Sequence, residues 1–84
     1  MKPELAILLI EDDPIMGESL MERFELEGFR AAWARTGAEG RQRLARGGFG
    51  VVLSDLRLPD MGGDALFRKA LESHPILPPW LFIT

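Results

Sequence analysis

The acidic residues of this chain are spaced in a way that suits phosphoryl chemistry. Glu11, Asp12 and Asp13 directly follow the apolar run Leu5 to Ile10, and Asp55 directly follows Val51-Val52-Leu53-Ser54. Carboxylates gathered in a small cleft repel one another, and without compensation one of them keeps its proton at neutral pH. A hard divalent cation removes that conflict, and Mg²⁺ suits a site with few carboxylates, several waters and an incoming phosphate oxygen. A carboxylate oxygen can then accept a phosphoryl group as an acyl phosphate, with the metal neutralising charge on the transferred group. Asp55 is the candidate nucleophile, and Glu11 and Asp12 are the candidate metal ligands. Three acids exceed what helix capping needs, and Asp13 before Pro14 is the one that reads as a cap. Thr84, at the end of the run Trp80 to Ile83, offers a hydroxyl to phosphoryl oxygens.

These residues meet only if the elements between them bring them together. Leu5 to Ile10 is continuously apolar, as a strand buried on both faces is. A helix starts at Asp13-Pro14, with Met16, Leu20 and Phe24 as its core-facing stripe and Gly28 as its C-cap. Phe29 to Ala34 reads as a second strand. Thr36-Gly37-Ala38-Glu39 matches a capping box, opening a polar helix, interrupted by Gly40, that runs to about Arg46. Gly47-Gly48 stops that helix. Val51 to Leu53 is a third strand ending at Ser54-Asp55, and Pro59 to Gly63 is a turn-rich loop. Asp64 to Ser73 is a third amphipathic helix, closed by His74-Pro75. Trp80 to Thr84 is a fourth strand. Strands alternating with helices imply an α/β fold with a parallel sheet covered on both faces. Ligands of such sheets gather beyond the carboxyl ends of the strands, where Glu11, Asp12, Asp55 and Thr84 would converge.

Composition narrows the function classes. The 84 residues make a single small domain, 46% hydrophobic and 27% charged, with a formal net charge of −3. That balance gives no basic surface for nucleic acid, and Arg41, Arg43 and Arg46 read as a solvated helix face. The absence of cysteine excludes disulfides and thiol chemistry and fits a reducing compartment. The longest apolar run is far shorter than a membrane span, and the first residues are no signal peptide, so a soluble, cytoplasmic protein is expected. Gly47-Gly48-Phe49-Gly50 precedes a strand and opens no helix, so it is not a dinucleotide fingerprint.

Three segments, in order, strongly resemble the receiver domain of two-component response regulators. They are Ile7-Leu8-Leu9-Ile10-Glu11-Asp12-Asp13-Pro14, then Leu53 to Gly63 (Leu-Ser-Asp-Leu-Arg-Leu-Pro-Asp-Met-Gly-Gly), then Leu81-Phe82-Ile83-Thr84. The resemblance implies a flavodoxin-like doubly wound sheet of strand order 2-1-3-4. It implies that Asp55 is phosphorylated by a sensor histidine kinase or a phosphotransfer protein. It further implies that Mg²⁺ is held by Glu11, Asp12, Asp55 and the main-chain carbonyl of Arg57, and that Thr84 senses the phosphoryl group. Such a domain is a signalling module and not an enzyme, although it takes part in its own phosphorylation.

Receivers normally continue through a fifth strand, followed by a lysine, and two further helices, none of which this sequence contains. The expected fold is therefore one truncated after the fourth strand, a segment of a longer chain with an output domain. Its fourth strand would form an exposed apolar edge, which natural proteins usually cover. An alternative function is accordingly an unphosphorylated interaction module that dimerises through that edge. A metal-dependent phosphohydrolase would also use a carboxylate after a strand. Such enzymes place a second acid two residues beyond the nucleophile, where this chain has Arg57.

Overall fold

The computed structural model describes residues 5–74 and 76–83. The elements follow as β1 (Ala6–Ile10), α1 (Pro14–Leu26), β2 (Ala31–Ala34), α2 (Gly37–Arg46), β3 (Phe49–Asp55), α3 (Gly63–Ser73) and β4 (Trp80–Ile83). The four strands make one parallel sheet in the order β2-β1-β3-β4, as expected of the doubly wound class.

Register sets which residues face which helices. Leu8 pairs with Ala32 and Val52, and Val52 pairs with Trp80; Ile10 pairs with Ala34 and Ser54. These positions share one face, because side chains alternate along a strand. There Leu8, Ile10, Ala34 and Val52 join Leu44 of α2 and Leu66 and Ala70 of α3 in the main core. Phe67 of α3 stands edge-on to Trp80, ring centroids 5.3 Å apart, and to Phe82 at 6.5 Å. The opposite face carries the row Trp33, Leu9, Leu53, Leu81. It receives α1, whose Gly17 lies against the Trp33 indole.

Two expectations about α1 and β2 need correction. Met16 is exposed, and the fully buried position of α1 is Gly17, with Leu20 and Phe24 half-buried. The helix is rotated because the broad Trp33 ring fills the space a side chain at position 17 would need. Phe29 is not in a strand. Its N–H donates to the Phe24 carbonyl at 2.8 Å while Gly28, at φ 83°, donates to Glu25 at 3.0 Å. This paired closure of a helix end by a left-handed glycine uses the residue after it as part of the cap, so β2 starts later.

The other boundaries lie within two residues of expectation. Asp13 caps α1 as anticipated, its Oδ1 accepting the Ile15 N–H at 2.9 Å. At α2, Thr36 Oγ1 accepts the Glu39 N–H at 3.1 Å, while Glu39 Oε1 reaches back to the Arg35 N–H. The reciprocal half of the capping box thus falls one residue earlier than in the standard motif.

Candidate functional site

β1 and β3 are neighbours and parallel, so their carboxyl ends arrive side by side. That adjacency brings Glu11, Asp12 and Asp55 together: each offers a carboxylate oxygen, and the three lie within 4.8 Å of one another. Glu11 is 2% exposed, Asp55 half-buried and Asp12 exposed, so the group forms a gradient from core to solvent. The Asp13 N–H donates to Glu11 Oε2 at 3.1 Å. Among the described residues no Lys or Arg pairs with any of the three; the ion pairs are Arg23–Glu27 and Arg68–Asp64, both on helix surfaces.

The electrostatics follow from that placement. Burial pushes the Glu11 carboxyl above its ordinary value, the Asp13 N–H partly opposes this, and the charges of Asp55 and Asp12 add to the rise. A buried acid facing two more acids, with no ion pair to any of them among the described residues, is an uncompensated charge cluster. Its donors are all hard carboxylate oxygens, and its outer side is open to water, a set that fits a divalent cation of the Mg²⁺ kind.

The loop after β3 is tightly specified. The Arg57 N–H donates to Asp55 Oδ1 at 3.3 Å, and Arg57 bridges to Gly62. The Leu58 N–H reaches the Met61 carbonyl at 3.1 Å and the Gly63 N–H the Leu56 carbonyl at 2.8 Å. A side chain at Gly63 would collide with the Asp55 carbonyl oxygen, so only glycine lets α3 begin directly over the end of β3. Leu58 is buried in the main core and anchors the loop from below.

Glu11, Asp12 and Asp55 therefore meet as expected, and Arg57 lies beside them through its N–H. Ile83 of β4 pairs with Asp55. Thr84 lies outside the described residues. Two residues escaped the reading of the sequence. The Asp60 carboxylate accepts the N–H groups of Gly37 at 2.8 Å and Ala38 at 2.9 Å, tying the loop to the N-terminus of α2. Trp33 donates its indole N–H to the Glu11 carbonyl at 2.8 Å. Each bond spans more than twenty residues, and neither residue type advertises such a partner.

Known proteins agree with this arrangement. A family profile described as the response regulator receiver domain matches residues 7–84. The swarming motility regulation protein RssB of Serratia marcescens is 42% identical over 76 residues, covering 84% of this chain and 34% of RssB. The non-phosphorylated HemR receiver domain from Leptospira biflexa superimposes with a TM-score of 0.84 at 39% identity, over 94% of this chain and 63% of that one. The MaeR response regulator bound to beryllium trifluoride gives a TM-score of 0.84 at 27% identity, over 95% of this chain and 66% of its own. The chain thus spans about a third of RssB and under two thirds of either solved structure.

Proposed function

This chain belongs to the response regulator receiver domain family, and on that footing we propose that it is a phosphoacceptor module of two-component signalling. Asp55 takes the phosphoryl group from a sensor histidine kinase or a phosphotransfer protein, in a reaction that depends on Mg²⁺. The observation that carries this reading is the convergence of Glu11, Asp12 and Asp55 carboxylate oxygens within 4.8 Å at the carboxyl edge of the sheet. That MaeR binds beryllium trifluoride, a fluoride shaped like a phosphoryl group, supports the same reading.

In this proposal Glu11, Asp12, Asp55 and the Arg57 carbonyl hold Mg²⁺. When bound, the ion neutralises the carboxylates and the oxygens of the incoming phosphoryl group. The chain's own part is positional. Glu11 is fixed by burial, Asp55 by its place at the end of β3, and the Arg57 N–H steadies Asp55 Oδ1. Oδ2 is then the oxygen available to attack phosphorus in line with the leaving group. The new P–O bond forms as the donor's P–N or P–O bond breaks and the leaving group departs with the bonding pair, a nitrogen leaving group being protonated and a carboxylate leaving as the anion. Thr84 is assigned the hydroxyl that hydrogen-bonds the acquired phosphoryl group. The added charge biases the surrounding loop between two arrangements, which is the signal.

The module undergoes one modification per cycle and has no substrate of its own to turn over, so it is not assigned as an enzyme. Its partners are the phosphodonor protein and an output domain in a longer parent chain. Among the described residues no helix is long and apolar enough to cross a membrane, and action in the cytoplasm is part of the proposal. Incubation with a radiolabelled small phosphodonor should label the chain only when Mg²⁺ is present, and Asp55→Asn should abolish the label. Undiminished labelling of that variant would remove Asp55 from its role.

A further inference from the structure

Glu11 is the last point at which β1 keeps the hydrogen bonding of the sheet. Its N–H donates to the Ala34 carbonyl at 2.9 Å, completing the ladder to β2. Its carbonyl has no further strand residue to accept from, because β2 ends at Ala34. The Trp33 indole N–H takes that place, at 2.8 Å. Both main-chain groups of Glu11 are thereby satisfied, and the direction in which its side chain leaves the backbone is fixed.

Trp33 is itself held by two further contacts. α1 offers Gly17, where any side chain would overlap the indole. The Arg35 guanidinium lies over the ring, 4.4 Å from its centroid. Gly17 belongs to the helix that Asp13 caps, and its N–H donates to the Asp13 carbonyl at 2.9 Å. The indole therefore contacts the Glu11 carbonyl directly and, at Gly17, the first turn of the helix that Asp13 caps.

We propose that Trp33 is a positioning residue for the cation site, its indole N–H holding the Glu11 carbonyl and its ring seating α1 at Gly17 so that Glu11 and Asp12 face Asp55. The inference rests on the metal-binding reading given above. Groups behind the ligands of a metal set its affinity by fixing ligand orientation. A single hydrogen bond of ordinary net strength corresponds to a change of roughly three- to tenfold in affinity.

The test is a Mg²⁺ titration of the 84-residue chain by calorimetry, with the two indole N–H resonances followed by nuclear magnetic resonance. Trp80→Phe assigns the resonances and is expected to leave the Mg²⁺ affinity unchanged. Addition of Mg²⁺ should move the Trp33 resonance and not that of Trp80. Trp33→Phe keeps an aromatic ring over Gly17 and lacks the donor. It should weaken Mg²⁺ binding by roughly three- to tenfold while retaining its circular dichroism. A role confined to packing would lower the melting temperature of that variant and leave its Mg²⁺ affinity intact. That result, or a Trp33 resonance indifferent to Mg²⁺ in the unmutated chain, overturns the inference and leaves the phosphoacceptor reading standing. The resonance carries the test if the variant does not fold. Failure of the unmutated chain to bind Mg²⁺ overturns the metal reading, and the inference with it.

Discussion

Glu11 shows what the site costs the fold. It is a carboxyl among core residues, raised above its ordinary value by burial first and by Asp55 and Asp12 in addition. A group raised in the folded state favours folding when protonated, and that contribution is lost as pH rises through its folded value. The metal-free chain should therefore lose stability as pH rises from the ordinary glutamate range through that elevated value. Mg²⁺ should restore part of the loss. Glu11→Gln, which keeps the shape without the charge, is expected to raise the metal-free melting temperature by roughly a few degrees. The same change should reduce the gain in melting temperature that Mg²⁺ gives the unmutated chain. Thermal scans with and without Mg²⁺, at two pH values, check both. Trp80 carries the converse lesson: its indole N–H is buried and finds no hydrogen-bond partner among the described residues. Removing an unsatisfied donor is nearly free, so Trp80→Phe should melt at the same temperature as the unmutated chain or slightly higher.

At the scale of elements, the loop between β3 and α3 is held at both ends. Gly63 seats α3 on the Asp55 carbonyl, and Asp60 binds the first N–H groups of α2. Gly63→Ala must displace either the loop or the helix, an overpacking cost of about 1–3 kcal/mol. It should also slow phosphodonor labelling, because the displaced atoms include the main chain of Asp55. Partial burial raises the Asp60 carboxyl, but the Gly37 and Ala38 N–H groups outweigh this and hold it below its ordinary value. A depressed group contributes stability above its unfolded value and loses it as pH falls through its folded value. Asp60→Ala should thus cost about 1 kcal/mol at neutral pH, with the difference from the unmutated chain closing in acid. Urea titrations at pH 7 and pH 3 measure it. The alternation of strands and helices, the cap at Asp13 and the meeting of Glu11, Asp12 and Asp55 were legible in the sequence because they depend on local pattern and on the parallel topology. The rotation of α1 was not. A glycine is invisible in a hydrophobic stripe, and Gly17 is buried only because a tryptophan from another strand needs its space. Asp60 was hidden for the same reason, since a Pro-Asp turn reads as solvent-facing until its distant partner is seen.

Over the whole molecule, the two faces of the sheet are unequally covered. The face under α2 and α3 holds the main core. On the other face α1 packs on β2, leaving Ile7, Val51 and Leu53 half-buried and Leu81 exposed. Leu81 on this face is 55% exposed, and Phe82, on the face under α3, is 42% exposed. β4 pairs with β3 alone among the described strands, so its outer edge and this apolar band are continuous. Such an edge recruits other strands. The chain on its own should associate with rising concentration in sedimentation experiments, and Leu81→Lys should shift it towards monomer. A strict monomer at high concentration would show the edge to be inert in this chain.

In the proposed function the carboxyl edge of this sheet receives a phosphoryl group on Asp55. Borohydride reduction after phosphodonor treatment converts an acyl phosphate to an alcohol, and peptide mapping then locates the modified residue. The expected result is homoserine at position 55, formed only when Mg²⁺ was present. Reduction at Glu11, Asp12 or another acid, or at position 55 regardless of Mg²⁺, would contradict it.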